Sequence, residues 1–190
     1  MTDRRLLDAA FARVRRADFL RSPQRGFAGE DAAVPIGYGQ TNSQPSTVRQ
    51  MLDLLDVEPG QRVLDVGCGS GWTTALLGEL VGPGGEVVGV EIVPELVTWG
   101  RENLASYALP WTRIEQARED VLGLPESGPY DRALVSAEAT RLPQDVLDQL
   151  VVGGVMVVPV RGRMAVVRRT AREPAVREEG WYSFVPLMEP

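Results

Sequence analysis

The stretch RVLDVGCGSGWTTALLGELV, residues 62–81, decides the fold class of this chain. Its first five residues are apolar apart from one arginine and one aspartate, which is typical of a strand buried on both faces of a parallel sheet. Its last ten residues have the apolar composition of a buried helix. A short glycine-rich turn, GCGSG at 67–71, joins the two segments. This order predicts the strand, turn and helix that begin an open α/β fold.

Strand and helix patterns alternate outward from this stretch in both directions. Further strands are predicted at 86–91, around 112–116, at 130–136 and at 155–160. Helices are predicted at 4–16, from Pro45 to residue 56, at 94–108 and from about Pro143 to Leu150. An ordered loop region, rich in Gly, Pro, Ser, Gln and Asn, is expected at 21–44. Because strands separated by helices pair in parallel, we expect a doubly wound, mostly parallel α/β sheet of the Rossmann type.

The C-terminal end of the chain has a different pattern. RMAVVRRT (163–170) and EEGWYSFVPL (178–187) both have strand composition, and a short charged link joins them. Two strands this close in sequence pair with each other. We therefore expect an antiparallel hairpin at the end of the sheet.

Two residue types are absent from the sequence: it contains no histidine, and all 20 basic residues are arginines. These absences exclude a serine–histidine nucleophile, a histidine metal site, a lysine Schiff base and the lysine of a phosphate-binding P-loop. We predict no metal site. The net charge is −6, and residues 26–160 contain 19 acidic residues against 7 arginines. An acidic centre argues against a nucleic-acid partner.

The sequence predicts a cytoplasmic protein with no membrane partner. It has no apolar run of about 18 residues, the length that a membrane helix requires. The first 16 residues place Arg and Asp among their apolar residues, unlike a secretory signal. The single cysteine, Cys68, cannot form an internal disulfide, and we read it as a small apolar residue without chemistry.

The turn at 67–71 is the expected ligand site, because open α/β sheets bind ligands beyond the carboxyl ends of their strands. Gly67, Gly69 and Gly71 allow a ligand to approach the backbone closely. A dinucleotide fingerprint would need its third glycine at position 72, which is Trp72. The next strand ends in Glu91, about 20 residues on, where a carboxylate can accept hydrogen bonds from ribose hydroxyls. We predict a nucleoside ligand; the plainer alternative is a tight turn beside a solvated acid.

Two segments carry a more specific signal than the glycines. PIGYGQTNSQP (35–45) followed by PGQRVLDVGCGSG (59–71) resembles the protein-L-isoaspartate O-methyltransferase family, whose members carry PIGYGQT-x-S-x-P before their cofactor loop. The similarity continues through PYDRALVSAEATRLPQDVLDQLVVGGVMVVPV (129–160) and the closing SFVPL (183–187). It covers nearly the whole chain from about residue 28.

The resemblance implies an enzyme that uses S-adenosylmethionine and methylates the free carboxylate of L-isoaspartyl residues in damaged proteins or peptides. The methyl ester then collapses without enzyme to a succinimide, whose hydrolysis restores some normal aspartate, so the reaction is protein repair. This chemistry suits a chain without histidine, because a carboxylate with a pKa of about 4 is ionised at pH 7 and needs no general base.

The resemblance also assigns roles to individual residues. Ser43 occupies the position of the acceptor-side serine, with Thr41 and Gln40 beside it as hydrogen-bond donors. The alternative for Ser43 is capping of the helix that follows. Asp65 and the three glycines match the methionine-binding loop, and Glu91 matches the ribose acid.

A length of 190 residues predicts one domain. The resemblance makes residues 1–190 a single S-adenosylmethionine-dependent methyltransferase domain. We expect an N-terminal helix and acceptor-side loop at 1–44, a cofactor-binding core at 45–160 and the C-terminal hairpin at 161–190.

The sequence departs from the family pattern at two places. The family usually has Gly-Asp-Gly after the third strand, with its Asp near the adenine amine; here Glu119 or Asp120 would take that contact. The usual Thr-Ala-Ala run ends in Glu138, and an acid facing the acceptor side would repel an anionic acceptor. Two alternatives therefore stay open: a tailoring enzyme that methylates an ordinary aspartate in a dedicated peptide, and a module that binds the nucleoside without turnover.

Overall fold

The computed structural model describes residues 1–118 and 120–188. Its helices are α1 (Arg4–Arg13), α2 (Pro45–Leu55), α3 (Trp72–Val81), α4 (Pro94–Ala105) and α5 (Gln144–Leu147). Its strands are β1 (Val34–Gly37), β2 (Gln40–Asn42), β3 (Arg62–Val66), β4 (Glu86–Glu91), β5 (Thr112–Gln116), β6 (Tyr130–Val135), β7 (Leu150–Val160), β8 (Arg163–Arg168) and β9 (Ala175–Glu179). Short 3-10 helices lie at Arg16–Phe19, Ser22–Phe27 and Pro125–Ser127. Within these described residues, none of the helices has the length and apolar character of a membrane span.

Seven of these strands form one sheet in the order β5-β4-β3-β6-β7-β8-β9. The first five strands in this order run parallel, and the last two pairings are antiparallel. Strand order reverses between β3 and β6, which pair from Val63 with Arg132 to Val66 with Val135. Such a reversal opens a crevice at the carboxyl ends of the strands, where ligands bind. The prediction of a mostly parallel sheet with an antiparallel C-terminal hairpin is confirmed.

The sheet is covered on both faces, and β3 contributes side chains to both. Val63 belongs to the core beneath α1, α2 and α3, whereas Leu64 and Val66 belong to the core on the side of α5. Successive residues of a strand point to opposite faces, so a strand covered on both sides must be apolar throughout. Full burial of each such side chain stabilises the fold by about 1.5–3 kcal/mol. This packing fixes the end of β3, where the glycine turn begins.

The bounds of β3, β4 and α3 agree with the sequence prediction, and the differences lie at other ends. Helix α1 ends at Arg13 rather than residue 16, because the backbone becomes extended at the next residue. The helix predicted from Pro143 to Leu150 extends only over α5. Leu150 already belongs to β7 and pairs with Tyr130, so β7 begins there rather than at residue 155.

The second strand of the C-terminal hairpin lies earlier than predicted. β9 pairs with β8 and ends just before Gly180, whose φ of +49° turns the chain out of the sheet. The prediction of a strand over 178–187 is therefore wrong for most of that segment. The tail returns instead to the carboxyl edge of the sheet. There the Glu138 amide donates to the Val185 carbonyl and the Leu187 amide donates to the Glu138 carbonyl, both at 2.8 Å.

The region predicted as a loop at 21–44 contains an antiparallel hairpin of β1 and β2. Tyr38 and Gly39 form its turn with φ of +57° and +73°. Positive φ at both central residues is the geometry that two-residue hairpins favour. These strands are only three and four residues long, too short for a clear periodic pattern. The hairpin places Gln40 and Thr41 at the carboxyl edge of the large sheet.

Candidate active site

A cavity of about 360 Å³, which we call the main cavity, lies at the carboxyl edge of the sheet. Its walls come from the ends of β3, β4, β5 and β6, from the β1–β2 hairpin and from the C-terminal tail. The lining residues are Gln40, Thr41, Val66, Gly67, Gly69, Val90, Glu91, Ile92, Ala117, Arg118, Val121, Leu122, Gly123, Ser136, Ala137 and residues 185–188. Its size and mixed lining are those of a small-molecule site.

The glycine turn has the backbone conformation that its sequence predicted. Gly67, Gly69 and Gly71 have φ of +73°, +54° and +89°, which glycine adopts without penalty. Gly67 and Gly69 line the main cavity. Gly71 serves the packing instead, because a Cβ there would lie 3.2 Å from the Gly100 carbonyl oxygen and 3.0 Å from Ile114 Cδ1. Two glycines thus face the main cavity, and the third lets α3 pack against α4 and β5.

Glu91 ends β4, lines the main cavity and is only 5% exposed. Its carboxylate accepts hydrogen bonds from the backbone amides of Gly69 at 2.9 Å, Ile92 at 2.8 Å and Val93 at 2.9 Å. A carboxylate has about four acceptor positions, so about one remains for a ligand hydroxyl. Glu91 therefore fixes the glycine turn to the end of the next strand and keeps limited acceptor capacity toward the cavity.

Asp65 is fully buried beneath the glycine turn. Its Oδ2 accepts hydrogen bonds from the Thr73 and Thr74 hydroxyls, both at 2.7 Å, and its Oδ1 has no partner. Burial of the carboxyl group raises the pKa of Asp65 to about 6, despite the two hydroxyl donors. Burial also raises the pKa of the Cys68 thiol well above its ordinary value, so this thiol stays protonated. Cys68 acts as an apolar filler, as its position in the turn predicted.

A second, smaller cavity of about 30 Å³ adjoins the glycine turn, and we call it the small cavity. It is lined by Thr41, Asn42, Ser43, Gly67, Cys68, Gly69, Ser70, Trp72, Thr73 and Ser136. Among the described residues, three buried side-chain polar atoms lack a hydrogen-bond partner: Asp65 Oδ1, Trp72 Nε1 and Ser136 Oγ. Trp72 and Ser136 line this cavity, whereas Asp65 lines neither cavity and is joined to the turn through Thr73 and Thr74. The residues of the wall thus include one unused donor, Trp72 Nε1, and one hydroxyl without a partner, Ser136 Oγ.

The three residues assigned to the acceptor side are brought to these cavities by the β1–β2 hairpin. Gln40 and Thr41 line the main cavity, and Thr41 and Ser43 line the small one. The alternative that Ser43 caps helix α2 is wrong. The N-cap of α2 is Gln44, and the Ser46 amide donates to the Asp31 carboxylate at 2.9 Å.

The structure also locates the two departures from the family pattern. Glu119 lies outside the described residues. The Asp120 side chain is 69% exposed and pairs with Arg118 at 2.7 Å; Arg118 lines the main cavity, but Asp120 does not. Glu138 lines neither cavity and pairs through its backbone with the C-terminal tail. Within these two cavities, Glu138 therefore presents no charge that would repel an anionic acceptor.

Further site residues come from distant parts of the chain, and the first of them, Ser136, begins the run that corresponds to the family's Thr-Ala-Ala. Ser136 follows β6 and lines both cavities, with its hydroxyl unpartnered. Residues 185–188 of the tail close one side of the main cavity. The SFVPL motif marked the tail as similar to the family. Its position at the main cavity, however, follows from its backbone pairing with Glu138. For Trp72, the sequence indicated only that it interrupts a dinucleotide fingerprint.

Comparison with known sequences gives a consistent result. The model of the family protein-L-isoaspartate(D-aspartate) O-methyltransferase matches residues 1–189. The protein-L-isoaspartate O-methyltransferase of Aeropyrum pernix is 47% identical over 160 residues, which are 84% of this chain and 61% of that protein. The enzyme of that name from Methanococcoides burtonii is 38% identical over 98% of this chain and 93% of its own length. The chain thus spans under two thirds of the first relative and nearly all of the second.

Solved structures agree on the fold. A protein-L-isoaspartate O-methyltransferase structure superposes with a TM-score of 0.87 at 23% identity, covering 96% of this chain and 61% of that one. A Plasmodium falciparum protein described as a putative protein-L-isoaspartate O-methyltransferase, in complex with S-adenosyl-L-homocysteine, superposes with a TM-score of 0.83 at 21% identity. That match covers 100% of this chain and 93% of the other.

Proposed function

The chain belongs to the protein-L-isoaspartate(D-aspartate) O-methyltransferase family, and from this membership we propose that it transfers a methyl group from S-adenosylmethionine to the free carboxylate of L-isoaspartyl residues. The acceptors are damaged proteins or peptides, and the reaction starts their repair. One observation carries the proposal: the β1–β2 hairpin brings Gln40 and Thr41 to the same cavity as the glycine turn and Glu91.

The residues around the small cavity fit the amino-acid end of S-adenosylmethionine. The unpartnered Ser136 Oγ can accept a hydrogen bond from its ammonium group, and the unpartnered Trp72 Nε1 can donate one to its carboxylate. Asp65 supports the turn from beneath through its bonds to Thr73 and Thr74. Gly67 and Gly69 leave room for the ligand beside the backbone, and Glu91 keeps an acceptor for a ribose hydroxyl. When bound, the cofactor supplies a methyl group on a sulfonium, which is an activated donor.

The acceptor side needs orientation more than proton transfer. An isoaspartyl carboxylate is ionised at neutral pH, so no residue has to remove a proton from it. Thr41, Ser43 and Gln40 are polar side chains at the two cavities that can donate hydrogen bonds to this anion. Holding the carboxylate oxygen in line with the methyl carbon can supply several kcal/mol, about 7 or more in well-oriented systems.

Two peptides that differ only in one residue test the proposal. One contains an isoaspartyl residue, the other a normal aspartate at the same position, and both are incubated with the enzyme and methyl-labelled cofactor. We expect label in the isoaspartyl peptide alone. Label only in the aspartyl peptide would make the chain a tailoring enzyme, and cofactor binding with no labelling would make it a binding module.

Calorimetry tests the cofactor separately from the acceptor. S-adenosylhomocysteine, the demethylated product, should bind with a measurable affinity, and a complete absence of binding would refute the assignment.

We also propose a cytoplasmic location, which fits the single, buried cysteine, and cell fractionation checks it.

A further inference from the structure

Arg16 is a buried arginine that lies beside the proposed acceptor site. It opens the 3-10 helix Arg16–Phe19 and is 6% exposed. Its guanidinium group makes five hydrogen bonds, all to residues that precede α2. The acceptors are Asn42 Oδ1 at 2.8 Å and the backbone carbonyls of Glu30 at 2.9 Å, Ala32 at 2.7 Å, Asn42 at 3.1 Å and Ser43 at 3.0 Å.

None of these five acceptors is a carboxylate. A buried guanidinium loses its hydration, and neutral acceptors compensate for that loss only when several of them are well placed. The loss of hydration lowers the pKa of Arg16, although the carboxylates of Asp31 and Glu30 oppose this change. A rigid fork of five donors suits this arrangement, and the point charge of a lysine does not. The contacts therefore define a geometry that only arginine can hold.

The same guanidinium is linked to the cofactor turn. Its Cζ lies 5.5 Å from the centre of the Trp72 ring, where the cation contacts the face of the indole. The Asn42 side chain, which accepts from Arg16, donates through Nδ2 to the Ser70 hydroxyl at 3.3 Å. Ser70 and Trp72 flank the last glycine of the turn. Arg16 thus contacts Asn42 and Ser43 on the acceptor side and reaches the turn by two routes.

We propose that Arg16 is a positioning residue, which holds the acceptor segment 42–43 at a fixed distance from the cofactor turn. This proposal rests on the proposed function, because it assumes that Ser43 orients the acceptor carboxylate. Arg16 itself touches neither the cofactor nor the acceptor. Its effect on the reaction is large because a misplacement of about 1 Å can lower the rate about a hundredfold.

The substitution Arg16→Lys keeps the charge and removes the five-donor fork. We expect kcat/KM for the isoaspartyl peptide to fall about tenfold to a hundredfold, whereas the affinity for S-adenosylhomocysteine stays within about twofold. Arg25→Lys is the matched control, since Arg25 is exposed and donates only through Nε to the Leu20 carbonyl at 3.2 Å. It should leave both quantities at wild-type values.

A second variant covers the case in which Arg16→Lys does not fold at the assay temperature, which a melting curve shows directly. Asn42→Ala leaves Arg16 in place but removes its link to Ser70, and it should show the same split between kcat/KM and cofactor affinity. Where both fold, the double variant should lose less than the product of the two single effects, because both changes break one network. Wild-type kcat/KM in either folded variant would overturn the proposal. Absence of methylation by the wild-type enzyme would instead refute the proposed function.

Discussion

Replacing Asp65 by asparagine should remove a pH dependence of folding stability that originates beneath the cofactor turn. Burial raises the pKa of Asp65 to about 6 from an ordinary value of 3.8. In the folded chain the protonated form is therefore favoured, and the unfolded chain gives up its proton at lower pH. Stability from Asp65 is fully present below about pH 4 and is lost as the pH rises through about 6.

The size of this effect follows from the difference between the two pKa values. A pKa difference of one between the folded and the unfolded chain corresponds to about 1.4 kcal/mol, so a difference of roughly two makes about 3 kcal/mol in total. The figure needs no reduction for solvent screening, because Asp65 is fully buried. Between pH 4 and pH 7, ionisation of Asp65 alone should lower the free energy of unfolding by about 2 kcal/mol, because at pH 4 part of the unfolded chain has already lost this proton.

Urea unfolding of wild type and Asp65→Asn at a series of pH values isolates this contribution. Asparagine has nearly the same shape, and its carbonyl can still accept from Thr73 and Thr74. All other carboxylates titrate in both proteins, so the difference in unfolding free energy reports Asp65. We expect the free energy of unfolding of the variant to rise relative to wild type by about 2 kcal/mol between pH 4 and pH 7. A difference that is constant within about 0.5 kcal/mol over this range would refute the reasoning.

Three further predictions concern the roles of single residues. Ser43→Ala should lower kcat about tenfold, the value of one hydrogen bond, and leave S-adenosylhomocysteine affinity nearly unchanged; equal losses of both would make Ser43 structural. Glu91→Ala should weaken S-adenosylhomocysteine binding in calorimetry about tenfold or more, since it removes the proposed ribose acceptor and three bonds that shape the turn. Gly71→Ala should lower the free energy of unfolding by about 2 kcal/mol, because its φ is +89° and Gly100 blocks the Cβ. In Gly67→Ala no atom lies within 3.4 Å of the added Cβ, so this variant should lose less stability than Gly71→Ala and more affinity for S-adenosylhomocysteine. The opposite ranking of the two variants in melting curves and calorimetry would contradict these roles.

The sequence was most informative where the structure depends on local pattern. The bounds of β3, α3 and β4 agree with prediction because each is a mostly apolar run that ends at a glycine or at an acid. Parallel strands end at one edge of the sheet, so residues at those ends were expected to meet. Gly67, Gly69 and Glu91 do line one cavity. Their roles toward a ligand remain predictions.

Contacts between distant segments could not be predicted from the sequence in the same way. The tail reaches the cavity because residues 185 and 187 pair with Glu138, some fifty positions earlier, and no local pattern encodes that pairing. Arg16 looks like any arginine of an amphipathic N-terminal segment, and its burial depends on carbonyl groups up to Ser43. Side-chain geometry of this kind follows from packing, which residue spacing alone does not specify.

The unpartnered atoms of Asp65, Trp72 and Ser136 explain how a chain without histidine can organise this chemistry. Each loses about 1–3 kcal/mol while it has no partner, and apolar residues would pack there without that loss. Trp72 and Ser136 line one small cavity, so we propose that a ligand end with both an ammonium and a carboxylate gives these two atoms their partners. The protein then has only to hold the acceptor carboxylate in line. In the proposed mechanism, the β1–β2 hairpin and Arg16 provide that alignment, and a residue that transfers protons is unnecessary.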